Sequence, residues 1–291
     1  MPKTGPIAVV APSHPFDPAR LKQGMAFAAS EGWNVRALPN IQAPHLHLAG
    51  TDEHRASLLT EALTAPEYSA VWMARGGSGL TRILGQLPYT DLPDRLVIGF
   101  SDVTALLVAL HAQRGGHLVH GPVLHSLHEL TPAALGHLHS LLEGGETAPL
   151  EGSTLREGHA SGPLVGGNLT VLAAMCGTPW QLDARGGILF LEDVGEPAYR
   201  IDRSIQQLRS AGVLEGVVGI ALGAFSGCTT PPDRSWTLTE VLLDALEPCG
   251  VPIVADLPFG HIEDNHALPY GAHATLDADH LAWKPMSESS P

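Results

Sequence analysis

An α/β protein built around a parallel sheet follows from three features of the sequence. Short apolar runs alternate with helically spaced segments through the first half, the pattern of βαβ units. Hydrophobic residues make up 44% of the chain and charged residues 16%, a composition that buries cores. The 32 glycines and 24 prolines supply many connections. Taken in order, the runs and helical patterns are Ile7–Ala11, Pro18–Ser30, Val35–Leu38, Asp52–Leu63, Ala70–Ala74 and Leu80–Leu84. Val97–Phe100 is a further buried-strand run, and Asp102–His111 follows it at once, with Leu106, Leu107 and Leu110 at helical spacing. A tight strand-to-helix turn therefore falls at Ser101.

Between Glu143 and Gly167 the sequence loosens into Gly-Gly-Glu-Thr-Ala-Pro and His-Ala-Ser-Gly-Pro, a turn-rich stretch suited to an interdomain crossing. At about 150 residues per domain the 291 residues form two units, so the expected division is 1–150 and 151–291. The second unit reads as helix Leu169–Met175, strand Ile188–Leu191, helix Tyr199–Ala211, strand Val217–Phe225, helix Leu238–Leu246 and strand-like runs Ile253–Asp256 and His273–Leu276. That mixture makes it a smaller α+β domain.

Composition also excludes partners. Sixteen Lys and Arg against thirty Asp and Glu leave a net charge of −14, which repels phosphate backbones, so nucleic acid is not expected. Cys176, Cys228 and Cys249 are odd in number, lie far apart and form no Cys-x-x-Cys pair. They read as reduced small core residues. The start, Met1 to Gly5, leads into an apolar run that Pro12 stops, too short for a signal-peptide core, and no stretch reaches about 18 apolar residues. A cytoplasmic location is the expectation, with no membrane partner.

Four segments could carry chemistry. Gly99-Phe100-Ser101-Asp102 lifts a serine hydroxyl out of a strand end beside the N–H groups of a starting helix. The same residues would serve as an ordinary helix N-cap, and Val103 stands where the hydrolase elbow has its second glycine. Arg75-Gly76-Gly77-Ser78-Gly79 follows strand Ala70–Ala74, so it too sits where open sheets bind ligands. It fits neither the dinucleotide nor the phosphate-loop spacing. An oxyanion or anion site with Arg75 as a carboxylate fork stands beside the plainer reading of a turn. Glu192 and Asp193 end an apolar strand with Glu196 close behind, and His261 lies in a turn after Pro258. The other histidines, among them His45, His47, His117, His120, His125, His128, His137 and His139, lack the His-x-x-x-His spacing of a zinc hydrolase, so no metal is expected. Ser101, His261 and an acid near 192 are the residue types that acyl transfer needs.

These segments, together with Gly166-Gly167-Asn168-Leu169, Gly177-Thr178-Pro179-Trp180, Tyr199-Arg200-Ile201-Asp202-Arg203 and Leu222–Gly227, resemble the serine LD-carboxypeptidases, or muramoyltetrapeptide carboxypeptidases. The match runs in order from Val9 to Ala274. It implies an N-terminal parallel-sheet domain of the flavodoxin or glutamine-amidotransferase kind carrying nucleophile Ser101, and a C-terminal domain carrying base His261 and acid Glu192. It further implies an oxyanion hole from the N–H of Asp102 and of Gly76 or Gly77, a murein peptide substrate cleaved ahead of its terminal D-alanine in cytoplasmic wall recycling, and no cofactor; a homodimer is the assembly expected, the sequence itself leaving the oligomeric state open. We place the substrate carboxylate on Arg75, with Arg82 as the substitute. A second branch, the microcin-C self-immunity peptidases, cleaves an aminoacyl linkage to an adenylate-like group, and a silent muropeptide-binding protein is the non-enzymatic alternative. Ser78 departs from the family's usual aromatic residue in the glycine loop.

Overall fold

The computed structural model describes residues 5–231, 233 and 235–285; Met1–Thr4 and the closing Ser-Glu-Ser-Ser-Pro of the sequence lie outside them. In chain order the elements are β1 (Ile7–Val10), α1 (Pro18–Ser30), β2 (Val35–Ala37), α2 (Asp52–Thr64), β3 (Ala70–Met73), β4 (Leu96–Gly99), α3 (Thr104–Arg114), β5 (Leu118–His120) and α4 (Pro132–Leu142). There follow β6 (Leu150–Glu151), β7 (Ser153–Arg156), β8 (His159–Asn168), α5 (Leu169–Ala174), β9 (Ile188–Val194), α6 (Ala198–Ser210), β10 (Gly219–Ser226), α7 (Leu238–Leu246), β11 (Ile253–Ala255), β12 (Leu268–Tyr270), β13 (His273–Asp277) and β14 (His280–Trp283).

The first sheet has the order β12-β5-β4-β3-β1-β2, in which β1 to β5 are parallel. Every residue of β1, β3 and β4 is buried, as strands covered by helices on both faces must be. Running β2-β1-β3-β4-β5, this is the flavodoxin-like order, whose direction reverses between β1 and β3. Ligands of such sheets bind outside the carboxyl ends of the strands at that reversal. The connections after β1, β3 and β4 therefore emerge side by side.

The second sheet is mixed, in the order β6-β14-β13-β8-β9-β10-β11-β7. Strands β8 to β11 run parallel, and β13, β14, β6 and β7 join antiparallel at the flanks. The stretch read as a loose crossing is thus largely strand, because β6 to β8 spend their backbone groups in this sheet. Gly166 shows why a strand could hide there: at φ +150° its place for a Cβ lies 1.9 Å from the carbonyl oxygen of Phe190 on β9. The glycines that look like turns are close backbone contacts. Strand β12 crosses back to pair antiparallel with β5 in the first sheet.

Leu80–Leu84, read as helical, forms only 3-10 turns over Leu80–Arg82 and Leu84–Gln86. The segment Asp102–His111 begins as a 3-10 turn, Ser101–Val103, before α3 proper. Cys176, Cys228 and Cys249 are free and only half-buried, and burial raises each thiol pKa. No helix among the described residues is long and apolar enough to cross a membrane.

Candidate active site

Ser101 sits at φ 65°, in the left-handed region, although it is not glycine. Such a conformation costs about 1–2 kcal/mol in a residue with a Cβ. A simple helix cap has no need of it, and neither the 3-10 turn nor α3 receives a side-chain cap bond at its start. The elbow is held from beneath. Asp102, 4% exposed, accepts hydrogen bonds from Ser13 Oγ at 2.6 Å and from the Leu80 N–H at 3.0 Å. One carboxylate thereby ties together the connections after β1, β3 and β4. Burial raises the Asp102 pKa, against the two hydrogen bonds that favour its charged form.

The glycine loop packs on the elbow. A Cβ at Gly76 would lie 2.9 Å from Ser101 Cβ and 3.1 Å from its Oγ, so only glycine leaves the hydroxyl free at this distance. Gly77 has φ +122° and lies against His14, whose Nε2 is 2.9 Å from Ser78 Oγ. The N–H groups of Gly76 and Gly77 donate to no group among the described residues. Arg75 Nη1 donates to the Pro15 carbonyl at 2.6 Å, and no other bond of its fork is formed among the described residues. Arg82, the substitute clamp, is not available. Its guanidinium is bound in a fork by Asp52 at 2.8–3.0 Å, which neutralises it away from the loop.

The second sheet brings the other groups. Glu192, near the carboxyl end of β9, is fully buried, and its Oε2 lies 2.6 Å from His261 Nδ1. Gly260 makes this contact possible, for at φ +112° the site of its missing Cβ is 3.0 Å from Glu192 Oε2. Its N–H donates to Asn265 Oδ1 at 2.9 Å, which fixes the histidine turn. The His261 ring lies 4.6 Å from the ring of Phe100, the neighbour of Ser101. Among the described residues Ser101 Oγ is not hydrogen-bonded to His261; such contacts commonly tighten only around substrate. Asp193 is differently employed. Its two oxygens accept from Asn168 Nδ2, Thr170 N, Thr170 Oγ1 and Val194 N at 2.8–3.0 Å, so it anchors the start of α5.

Residues without an evident signal in the sequence set the two sheets against each other. The Thr104 hydroxyl accepts from the Asn168 N–H at 3.0 Å, and a Cβ on Gly167 would meet Thr104 Cγ2 at 2.4 Å. Asn168 pairs in register with Glu192, so this contact links the helix behind Ser101 to the strand that holds Glu192. Arg55, 0% exposed, donates to the carbonyls of Gly50, Pro12 and Gly79 and to Asp52, bracing the glycine loop. His120, fully buried behind Phe100, has no partner for either ring nitrogen, and burial lowers its pKa to about 3. Among the described residues no three His, Cys, Asp or Glu side chains are grouped as a metal would need.

A serine in a strained elbow, a histidine held by a buried carboxylate and a glycine loop on an α/β scaffold define a hydrolase of the serine class. Comparison makes the class specific. Residues 7–121 match the model of the LD-carboxypeptidase N-terminal domain and residues 161–276 that of the LD-carboxypeptidase C-terminal domain. The chain belongs to the LD-carboxypeptidase family. It is 43% identical over 277 residues to a putative carboxypeptidase of Synechocystis sp., with 94% of this chain and 91% of that one covered. It is 34% identical to the murein tetrapeptide carboxypeptidase of Pseudomonas aeruginosa, with 97% and 96% covered. The crystal structure of muramoyltetrapeptide carboxypeptidase from Oxalobacter formigenes superposes with a TM-score of 0.85 at 31% identity, covering 96% of this chain and all of that one. The fold is shared as well with the microcin C7 self-immunity protein in its wild-type apo state, with a TM-score of 0.87 at 21% identity, covering 99% of this chain and 98% of that one; in sequence the chain is 24% identical over 298 residues to the microcin C7 self-immunity protein of Escherichia coli, 89% of this chain and 86% of that one.

Proposed function

We propose that this protein releases terminal D-alanine from murein tetrapeptides through an acyl-enzyme, as a step of cytoplasmic cell-wall recycling. The observation that carries the reading is Ser101 in the left-handed region beside Gly76, next in the chain to Phe100, whose ring lies against that of the Glu192-bound His261. Ser101 Oγ attacks the carbonyl carbon of the bond to D-alanine while His261 Nε2 takes its proton. Glu192 holds the Nδ1–H and balances the imidazolium. The oxygen that becomes negative is received by N–H groups of the elbow and glycine loop, those of Asp102 and of Gly76 or Gly77. His261 then returns the proton to the departing nitrogen, D-alanine leaves, and water repeats the sequence on the ester.

A carboxypeptidase must also read a free carboxylate. On a chain of net charge −14 a local cation has to do this, and the part of the Arg75 fork not spent on Pro15 is that cation. The test is mass spectrometry of a muropeptide mixture before and after incubation. The expected result is conversion of tetrapeptides to tripeptides with release of D-alanine, lost in Ser101→Ala. Tetrapeptides left intact by protein that hydrolyses an aminoacyl-nucleotide analogue would refute it.

A further inference from the structure

The connection after β1 grips the site with four successive residues, Pro12 to Pro15. The Pro12 carbonyl accepts from Arg55, Ser13 Oγ donates to Asp102, and the Pro15 carbonyl accepts from Arg75. His14 holds the glycine loop itself. Its backbone N–H donates to the Gly76 carbonyl at 3.4 Å, and its ring Nε2 lies 2.9 Å from Ser78 Oγ, which has no other partner among the described residues. Between these bonds the imidazole lies against Gly77, where a Cβ would meet its Cγ at 2.4 Å, and the His47 ring stands edge-on to it at 5.7 Å. Three of the five residues Arg75–Gly79 are glycine, so the loop has little of its own to fix its backbone. The bond from His14 also orients a donor. In a trans unit whose Gly76 carbonyl turns toward His14, the Gly77 N–H points the opposite way, and it donates to no group among the described residues. Burial, followed by Arg75 and His47, lowers the His14 pKa from 6.5 against the pull of Asp102. The ring is therefore uncharged at neutral pH, which suits a brace and does not suit a reader of substrate charge.

We infer that His14 is a positioning residue for the oxyanion hole, fixing the Gly76–Gly77 peptide through the Gly76 carbonyl and Ser78 so that the Gly77 N–H meets the oxygen that becomes negative. The inference rests on the proposed acyl transfer to Ser101. A donor of this kind acts on the transition state more than on bound substrate, so displacing it falls on kcat. A shift of about 1 Å costs up to about a hundredfold. Nε2 is the ring atom that meets Ser78. Glutamine, whose amide reaches the same place, should therefore replace His14, and asparagine, which ends where Nδ1 lies, should not.

The experiment measures D-alanine release from L-Ala-γ-D-Glu-L-Lys-D-Ala and hydrolysis of p-nitrophenyl acetate, an acyl donor that carries no peptide. Wild-type protein is compared with His14→Ala, His14→Asn, His14→Gln, Ser78→Ala and the double variant of His14→Ala with Ser78→Ala. Calorimetry gives the Kd of the tetrapeptide in full-length Ser101→Ala with and without His14→Ala. His14→Ala and His14→Asn are expected to lose at least about tenfold in kcat on both substrates, with Kd moved less than about twofold. His14→Gln should stay within about threefold of wild type, and Ser78→Ala should fall as far as His14→Ala, the double variant falling no further because both changes break one bond. Ser78→Ala removes a single hydroxyl and carries the comparison should His14→Ala not fold. A smaller loss of kcat, a loss shared equally by Kd, or losses that multiply in the double variant overturn the inference. Tetrapeptide left intact while p-nitrophenyl acetate is hydrolysed would remove the peptidase reading and leave the ester rates to decide His14. No hydrolysis of either by wild-type protein would remove both.

Discussion

Neighbouring carboxylates on β9 should fail in opposite ways when neutralised. Glu192 faces His261 at 2.6 Å in a fully buried setting, so its charge acts when the imidazole becomes imidazolium. Two unit charges about 4 Å apart at an effective dielectric near 20 attract by roughly 4 kcal/mol, and each 1.36 kcal/mol is about tenfold in rate. Glu192→Gln should therefore cost about a thousandfold in kcat, with KM and melting temperature little changed because shape and packing are kept. Asp193→Asn should do the reverse. Its Oδ1 and Oδ2 each accept two hydrogen bonds, and an amide must turn its NH2 toward one pair of donors. Losing two bonds to a charged group costs roughly 1.5–3 kcal/mol each, or about 3–6 kcal/mol together. At about 2–4 °C per kcal/mol the melting temperature should fall on the order of 10 °C while kcat stays within about threefold. D-Alanine release and calorimetric melting, run on both variants, make the comparison. Glu192→Gln retaining more than a tenth of the wild-type kcat, or Asp193→Asn losing rate without losing stability, would show that the acid has been misassigned.

Ser101→Gly and Ser101→Ala should both lose at least about a thousandfold in rate, yet the glycine variant should melt higher, by about 1 kcal/mol, because it relieves the φ of 65°; equal melting by differential scanning calorimetry would deny the strain. Gly76→Ala should keep the fold and lose at least about tenfold in kcat/KM, since its Cβ would press on Ser101 Cβ at 2.9 Å; full D-alanine release would separate that loop from the nucleophile. Wild-type protein should hydrolyse the tetrapeptide acid in preference to its C-terminal amide, and Arg75→Lys, which keeps charge without the fork, should lower that preference about tenfold; an unchanged ratio of the two rates would move the clamp elsewhere. For pH, the buried His120 has its pKa lowered from 6.5 to about 3, so between those values the unfolded chain binds a proton that the folded chain refuses. Its stabilising effect is present above pH 6.5 and lost as pH falls, roughly 3 kcal/mol by pH 4, and His120→Phe should flatten the acid side of a chemical-denaturation stability profile; an unaltered slope would place the acid sensitivity in other groups.

Most of the elements could be read from the chain because periodicity and apolar runs are local. Helix α1 at Pro18–Ser30 and helix α7 at Leu238–Leu246 are read to the residue, one entered through Asp17 and proline, the other through a Thr237–Glu240 capping box. What could not be read is mostly settled by distant partners. Strand β8 looks like loop because Gly162 and Gly166 leave room for the backbone of Gly186 and of β9, and Gly167 for the Thr104 side chain, contacts that no window of sequence contains. Arg82 offers the same residue type as Arg75 a short step away, and only the fold reveals that Asp52, thirty residues earlier, has taken it.

The choice between Glu192 and Asp193 shows most clearly where local reading stops. Successive strand residues face opposite sides, so one of the two must point toward the Ser101 side and the other away. In a strand with one polar face, alternation would say which. Here Ile188 to Leu191 are apolar and buried at every position, so the run carries no parity. Residue types alone leave the acid open, and the family resemblance favours Glu192 without giving a physical reason. The two carboxylates are told apart by their partners: Glu192 Oε2 lies 2.6 Å from His261 Nδ1. Asp193, one residue on, points to Asn168 and Thr170, where four hydrogen bonds occupy it. A one-residue slip of β9 against β8 would exchange the two carboxylates, which is why a glycine pair and a threonine at the junction of the sheets matter as much to this site as the residues that face substrate.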